Sequence, residues 1–248
     1  MPLGWLGCLA CMSLAGTPVE AAGRPLVAES TTPSVPAVSS AALQQDLAGI
    51  AQSVSGVVGV AAWRLDGRGP RVLFNADQRY PLASTYKVAI AGAILAGVDA
   101  GRFRLDQWVP VEPRHRVPSE VIAERFAHPG VMLSLHNLLE VMLTESDNTA
   151  TDLLMELAGG PAAVTAWVRQ QGVVDLRVDR DTDQLIREFL GLPTATGGDS
   201  LAGILQGRPE LAAAAARPNP QFDSDPQDTA TPQAMALLLT QVFRGEAL

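Results

Sequence analysis

Apolar and polar positions follow different periodicities along the chain, and each periodicity predicts a kind of element. An amphipathic spacing over residues 41–53 predicts a helix. Two β-rich runs follow within residues 57–75, separated by a cluster of Asp, Gly and Pro, and together they predict a β-hairpin. No further strand is evident downstream. A lone hairpin is marginally stable in water, so the hairpin needs further strands.

The remaining elements are predicted to be helices. A run that is apolar on nearly every face starts near Ser84 and continues to about Gly101, which predicts a buried helix. Ser134 is a suitable N-cap for a helix whose apolar residues recur at helical spacing. Pro161 and Pro232 each mark the first turn of another helix. Two strands followed mostly by helices indicate an α+β fold.

Composition allows one large domain and argues against some partners. The chain has 248 residues, of which 47% are hydrophobic and 18% charged, and its net charge is -8. Nucleic acid and anionic membrane surfaces both need a basic surface, so neither is expected as a partner. The three histidines show no ligand spacing, and the two cysteines lie close to the N-terminus. We therefore expect no metal site and no cofactor.

The first 40 residues are predicted to lie outside the folded domain. Residues 1–22 contain an apolar stretch too short to span a bilayer, which is typical of a secretory signal peptide, although the usual positive start is missing. Residues 23–40 are rich in Pro, Ser, Thr and Ala and predict a disordered linker. The folded domain is then 41–248. We expect no transmembrane segment and a periplasmic or secreted location.

One lysine stands in an unusual place. Of the 18 basic residues only Lys87 is a lysine, and it follows Ser84 by three positions. Positions i and i+3 share a helix face, so we expect the Lys87 amine to reach the Ser84 hydroxyl. A helix N-terminus favours developing negative charge, and a lysine in an apolar setting loses its proton more easily. The pair therefore predicts a nucleophile and its base, although a helix cap with a solvent-reaching lysine has the same spacing.

A second motif, Ser146, Asp147 and Asn148, lies between two predicted helices. These residue types are also ordinary helix caps. Together with the Ser84 motif, however, they make up two parts of the S-x-x-K, S-D-N and K-T-G signature of penicillin-recognising serine enzymes.

With both motifs in order, the sequence resembles the class A serine β-lactamases and their penicillin-binding relatives from about residue 41 to the end. The resemblance implies a β-lactamase/transpeptidase-like α+β fold, in which an antiparallel sheet is flanked by helices. It also implies a monomer with a small β-lactam or D-Ala-D-Ala-like substrate. The similar segments are RYPLASTYK, AGVDAGRFRLDQ, LLEVMLTESDNTATDLLMELAGGPAAVTAWVR, RVDR and DTATPQAMALLL.

The resemblance also implies roles for the motif residues. Ser84 would be the acylated nucleophile, with its backbone N–H as one oxyanion-hole donor, and Lys87 would accept its proton. Ser146 would relay a proton to the leaving lactam nitrogen. Asn148 would bind the amide of the substrate side chain and help to fix Lys87, whereas Asp147 would be structural.

The chain departs from the family pattern in the segment that the family calls the Ω-loop. Arg180 and Asp228 align with the pair that closes this loop, and we predict their ion pair here. Two residues after the arginine, the family places a glutamate that activates the deacylating water. This chain has Thr182 there. We therefore expect slow or absent release of product, since fast deacylation needs a base near the ester.

Three other acidic residues are possible substitutes for that glutamate: Asp181, Asp183 and Glu188. Asp183 is one position away and one methylene shorter. The sequence does not decide among them.

A second departure concerns the C-terminal part. No K-T-G follows Asn148, and the family continues where this chain ends, so we expect a domain that lacks the family's C-terminal strands and last helix. Three functions remain open. The overall resemblance favours a β-lactam hydrolase, whereas the missing glutamate favours a D-Ala-D-Ala peptidase or a β-lactam sensor that is acylated without turnover.

Overall fold

Short antiparallel ladders make up the β-structure. The computed structural model describes residues 39–194 and 200–247, apart from 209, 212, 213, 215, 216 and 218. Within this part of the chain the strands form three two-stranded sheets. The pairs are β1 (Val60–Ala62) with β2 (Val72–Phe74), β3 (Tyr80–Pro81) with β6 (Thr229–Ala230), and β4 (Trp108–Val111) with β5 (Val131–Ser134).

The helices account for most of the described residues. They are α1 (Ser40–Gln52), α2 (Lys87–Asp99), α3 (Ile122–Arg125), α4 (Leu135–Thr144), α5 (Asn148–Ala158), α6 (Pro161–Gln170), α7 (Thr182–Phe189), α8 (Leu201–Gln206), α9 (Pro220–Asp223) and α10 (Pro232–Arg244), with 3₁₀ turns at Ala83–Tyr86 and Pro113–His115. Side chains of Ser134, Asp147, Asp181 and Thr231 each accept an N–H of the helix that they precede. These caps explain where α4, α5, α7 and α10 begin.

Helix α2 lies at the centre of the core, and α4, α5 and α6 pack around it. Its side chains are almost all apolar, and Ile90 and Ile94 are fully buried. The closest approach is at Gly92, where a Cβ would lie 2.2 Å from the ring of Trp167 in α6. A larger residue there would require the Trp167 ring to move. This packing fixes the start of α2, and with it the turn that carries Ser84.

The α+β prediction is confirmed, and so is the hairpin within 57–75. Helix α10 covers β1 of that hairpin, and α1 contacts β2. The expectation that no strand follows the hairpin is wrong, because β4 and β5 pair over their full lengths. Pro110 within β4 and the Pro129–Gly130 pair just before β5 weaken the strand signal in the sequence.

Helix boundaries agree with the predictions, with one correction. Ser84 lies in a 3₁₀ turn, and the α-helix itself begins at Lys87. The predicted signal peptide, 1–22, and residues 23–38 of the predicted linker lie outside the described residues. Ser39 caps α1 and Ser40 is its first residue, so the end of the predicted linker belongs to that helix. Within the described residues, no helix is both long and apolar enough to cross a membrane.

Candidate active site

Ser84 lies on an exposed turn directly before helix α2. Ala83 has a φ of 44°, a left-handed conformation that costs a non-glycine residue about 1–2 kcal/mol. The turn is held from both sides, because the Leu82 N–H donates to the Asp228 carbonyl at 2.8 Å and the Thr85 hydroxyl donates to the Leu82 carbonyl at 2.5 Å. The Ser84 hydroxyl has no hydrogen-bond partner within the described residues. It is therefore free to meet a substrate.

The Lys87 amine is buried among oxygen atoms of the second motif. The residue is 3% exposed. Its Nζ donates to the Ser146 carbonyl at 2.6 Å, to the Ser146 hydroxyl at 2.9 Å and to Oδ1 of Asn148 at 3.0 Å. Burial lowers the pKa of Lys87 to about 8, although the charges of Asp147 and Asp152 act in the opposite direction. Near neutral pH this amine gives up its proton far more readily than an ordinary lysine.

The expected hydrogen bond between the Lys87 amine and the Ser84 hydroxyl is not among those of the described residues. The reason is the number of donors. An ammonium group has three N–H donors, and Ser146 and Asn148 supply three acceptors for them. Transfer of a proton from Ser84 to Lys87 therefore needs a small movement of the amine or one intervening water.

The S-D-N motif forms the corner between α4 and α5. Ser146 has a φ of 57°, again left-handed, and this corner brings its carbonyl and hydroxyl oxygens to Lys87. Asp147 is buried, and its two carboxylate oxygens accept the N–H of Ala150 at 2.9 Å and the N–H of Ile122 at 2.8 Å. Asp147 thus caps α5 and joins it to α3.

Asn148 has both ends of its side-chain amide engaged. Its Oδ1 accepts from Lys87, and its Nδ2 donates to the carbonyl of Pro118 at 2.9 Å. These two contacts fix which end of the amide points to the lysine. One N–H and one lone pair remain for a substrate.

Arg180 closes the segment that leads into α7. Its side chain is 2% exposed, and its guanidinium contacts Asp228 at 2.6 Å, Glu188 at 2.6 Å and Asp225 at 3.0 Å. Asp228 also accepts the backbone N–H groups of Asp179 and Arg180. The predicted ion pair of Arg180 and Asp228 is therefore present, within a larger cluster in which three carboxylates share one guanidinium.

Thr182, at the position where the resemblance expects a glutamate, is held from two sides. Its Oγ1 lies 2.6 Å from the hydroxyl of Tyr86. Its backbone N–H donates to Oδ1 of Asp152 at 2.7 Å, and the N–H of Asp183 donates to Oδ2 of the same carboxylate at 2.9 Å. Burial raises the pKa of Asp152 to about 7, and the neighbouring Asp181 acts in the same direction.

Sequence reasoning gave no role to Asp152 or Tyr86. A signal was present for both. Asp152 follows Asn148 by four residues and so lies on the same face of α5, and Tyr86 directly precedes Lys87. What the sequence does not reveal is that these two side chains meet at Thr182.

The three acidic residues named as substitutes for the glutamate all have other partners. Asp181 caps α7. Asp183 pairs with Arg187 at 2.5 Å, and Glu188 pairs with Arg180 at 2.6 Å. Within the described part of the chain, no group of three or more His, Cys, Asp or Glu side chains has the geometry to hold a metal ion.

The structure thus brings together a serine on an exposed turn, a buried amine of lowered pKa and a second hydroxyl bonded to that amine. The chain belongs to the beta-lactamase enzyme family, whose sequence profile matches residues 42–248.

Individual relatives agree with this assignment. The chain is 31% identical to the beta-lactamase L2 of Stenotrophomonas maltophilia over 219 residues, which cover 88% of this chain and 60% of that protein. It is similar to the structure of an ancestral class A beta-lactamase of Gram-negative bacteria, with a TM-score of 0.62, 34% identity, and coverage of 83% of this chain and 65% of the other.

A beta-lactamase from Xanthomonas campestris pv. campestris is similar too, with a TM-score of 0.64, 27% identity, and coverage of 85% and 66%. These structures confirm the predicted β-lactamase-like fold. The chain spans less than two thirds of the length of each of these relatives.

Proposed function

We propose that this protein is a serine β-lactamase-like hydrolase that opens β-lactam rings through an acyl-enzyme on Ser84. The observation that carries the proposal is the buried Lys87 amine, which the S-D-N corner holds one turn from an unpartnered serine hydroxyl. The substrate is a small β-lactam or a D-Ala-D-Ala-like amide. We also propose that the protein acts as a monomer in the periplasm or outside the cell, after loss of residues 1–22 as a signal peptide.

Acylation uses four residues. Oγ of Ser84 forms a bond to the lactam carbonyl carbon while the Lys87 amine accepts its proton. The backbone N–H of Ser84 stabilises the oxyanion, and Asn148 binds the side-chain amide of the substrate. The C–N bond of the ring then breaks, the nitrogen takes a proton from the Ser146 hydroxyl, and Lys87 returns its proton to Ser146. The product is an ester that contains every atom of the lactam.

Release of that ester needs a water molecule and a base. The carboxylates beside Thr182 already bind backbone N–H groups or arginines. We therefore include slow deacylation in the proposal. Thr182, which stands in place of the family's glutamate, is engaged with Tyr86. The absence of a glutamate at this position also favours a second candidate function, a β-lactam sensor that is acylated without turnover.

The test is intact-protein mass spectrometry after the protein is mixed with a penicillin. We expect a mass gain equal to the whole penicillin, located on Ser84 by peptide mapping. Ser84→Ala should abolish the adduct, whereas Ser53→Ala, a matched control at an exposed serine at the end of α1, should keep it. A wild-type protein that is folded by circular dichroism and never gains the mass would contradict the proposal.

A hydrolysis assay separates the candidate functions. Steady turnover of a chromogenic β-lactam indicates a hydrolase, and release of D-Ala from a D-Ala-D-Ala peptide indicates a peptidase. A stable adduct with neither activity indicates the sensor.

A further inference from the structure

Asp152 has an unusual relation to helix α7. It lies on α5, about 30 residues earlier in the chain, yet its two carboxylate oxygens accept the N–H groups of Thr182 and Asp183. These are the first two residues of α7, whose N–H groups have no partner within the helix. The side chain of Asp181 satisfies the third, that of Gln184. Asp152 therefore acts as a second cap supplied by a different helix.

The same carboxylate reaches the site through Thr182. Thr182 donates its backbone N–H to Asp152, and its Oγ1 lies 2.6 Å from the Tyr86 hydroxyl. Tyr86 directly precedes Lys87 on the turn that carries Ser84. Tyr86 and Thr182 are both buried. A continuous polar connection thus runs from α5 through the start of α7 to the nucleophile turn.

The charge of Asp152 also limits which residues position 182 can hold. Its Oδ1 is only 2.7 Å from the backbone nitrogen of Thr182, and the carboxylate of Asp181 is already close enough to raise the pKa of Asp152. A further carboxylate on residue 182 would face these groups in a buried setting. Carboxylates so close together do not all ionise at the same pH, and a carboxyl on residue 182 that holds the proton cannot act as a base for water.

We infer that Asp152 is a positioning residue that fixes Thr182 beside the nucleophile turn and, through its negative charge, restricts position 182 to a neutral side chain. One consequence rests on the proposed function: a glutamate at position 182 cannot restore deacylation while Asp152 is present. Asp152 is not itself placed as the base, since both of its oxygens already accept N–H groups.

The first test is a double-mutant cycle in unfolding free energy, measured with urea at pH 8. Asp152→Asn should destabilise the protein when residue 182 is threonine, because the amide NH₂ then faces a backbone N–H. In the T182D background the same change should stabilise it, because a like charge is replaced by a donor. T182N is the matched neutral control, and there Asp152→Asn should again destabilise.

The second test uses deacylation of the penicillin adduct, followed by mass spectrometry after excess drug is removed. T182E alone should release the adduct no faster than the wild type. D152N/T182E should release it about tenfold faster or more than T182E, which is the low end of the range for a positioned general base. D152N alone should give no gain in release.

The outcomes separate the two proposals. If Asp152→Asn has the same sign and size in the T182D and T182N backgrounds, the inference is wrong whether or not Ser84 is acylated. If T182D is unfolded and D152N/T182D is folded, the rescue supports the inference. If both variants are unfolded, the inference is overturned. If the wild type never forms an adduct, the proposed function fails, while the unfolding cycle still decides the role of Asp152.

Discussion

Lys87 and Arg180 are both buried cations, but their surroundings differ. Lys87 faces neutral acceptors, a carbonyl, a hydroxyl and an amide oxygen, and burial lowers its pKa to about 8. Arg180 faces three carboxylates. Although burial alone would lower the pKa of Arg180, its bonds to Glu188 and Asp228 raise it above the ordinary value. A buried lysine among neutral oxygens can lose its proton, whereas an arginine, which keeps its charge in proteins, serves among carboxylates as a fixed structural charge.

The difference indicates that the two buried cations have different roles in the candidate site. Under the proposed function, the Lys87 corner (Lys87, Ser146 and Asn148) would serve acylation, whereas the Arg180 corner (Arg180, Asp225, Asp228 and Glu188) holds the chain in place through its ion pairs.

The largest effect should come from Lys87→Met. Methionine keeps the apolar stem but removes the proton acceptor, so the acylation rate should fall by about 10²–10⁴-fold. Stopped-flow or quenched mass spectrometry measures this rate, with circular dichroism as the control for folding. An acylation rate close to that of the wild type would show that Lys87 is not the base.

Arg180→Ala should mainly affect stability. Removal of the guanidinium leaves the buried Asp228 carboxylate without its charged partner and beside the partly exposed Asp225 and Glu188, so the free energy of unfolding should fall by about 3–5 kcal/mol. Arg177→Ala is the matched control, because its pair with Asp179 has an arginine that is 40% exposed and should contribute about 0–1 kcal/mol. If urea unfolding shows equal decreases in the free energy of unfolding for the two variants, the contrast between a buried and a surface arginine is wrong.

The acylation rate should depend on the protonation of Lys87. The amine must be neutral to accept a proton, so the rate should rise with pH below about 8 and level off above it. Burial is the main cause of the low pKa, and Asp147 and Asp152 limit the shift. Acylation rates between pH 6 and 10 measure the midpoint. A rate that keeps rising to pH 10 would indicate a lysine of ordinary pKa.

The smallest effect should come from Ser134→Ala, which removes an N-cap that belongs to neither corner. The hydroxyl of Ser134 accepts the N–H of Asn137 at 3.1 Å, and its loss should cost about 1 kcal/mol. Thermal unfolding should show the loss, and the acylation rate should stay the same. A clear change in acylation would mean that α4 controls the site through more than the S-D-N corner.

Local patterns predicted much of the fold and the core of the candidate site. Caps such as Ser134 and Thr231 have their signal within three residues, and the S-x-x-K and S-D-N motifs depend on short spacings as well. The pair of Arg180 and Asp228 is distant in sequence and followed only from the resemblance to a family.

The features that were missed depend on contacts between distant parts of the chain. Strands β4 and β5 have weak patterns of their own and are stabilised by each other. Asp152 has the signal of an ordinary helix-face residue, and its role depends on the first turn of α7. The resemblance anticipated the contact of Lys87 with Asn148, but the two contacts with Ser146 depend on the corner between α4 and α5.

Under the proposed function, penicillin acylates Ser84 readily and the resulting ester is hydrolysed slowly. A time course of intact mass after a single pulse of penicillin, followed by removal of excess drug, tests it most directly. We predict that the adduct forms in the wild type, is absent in Ser84→Ala and persists long after the drug is gone. A rapid return to the free mass, with hydrolysed penicillin in solution, would contradict slow release and show that a base near the ester activates water despite Thr182.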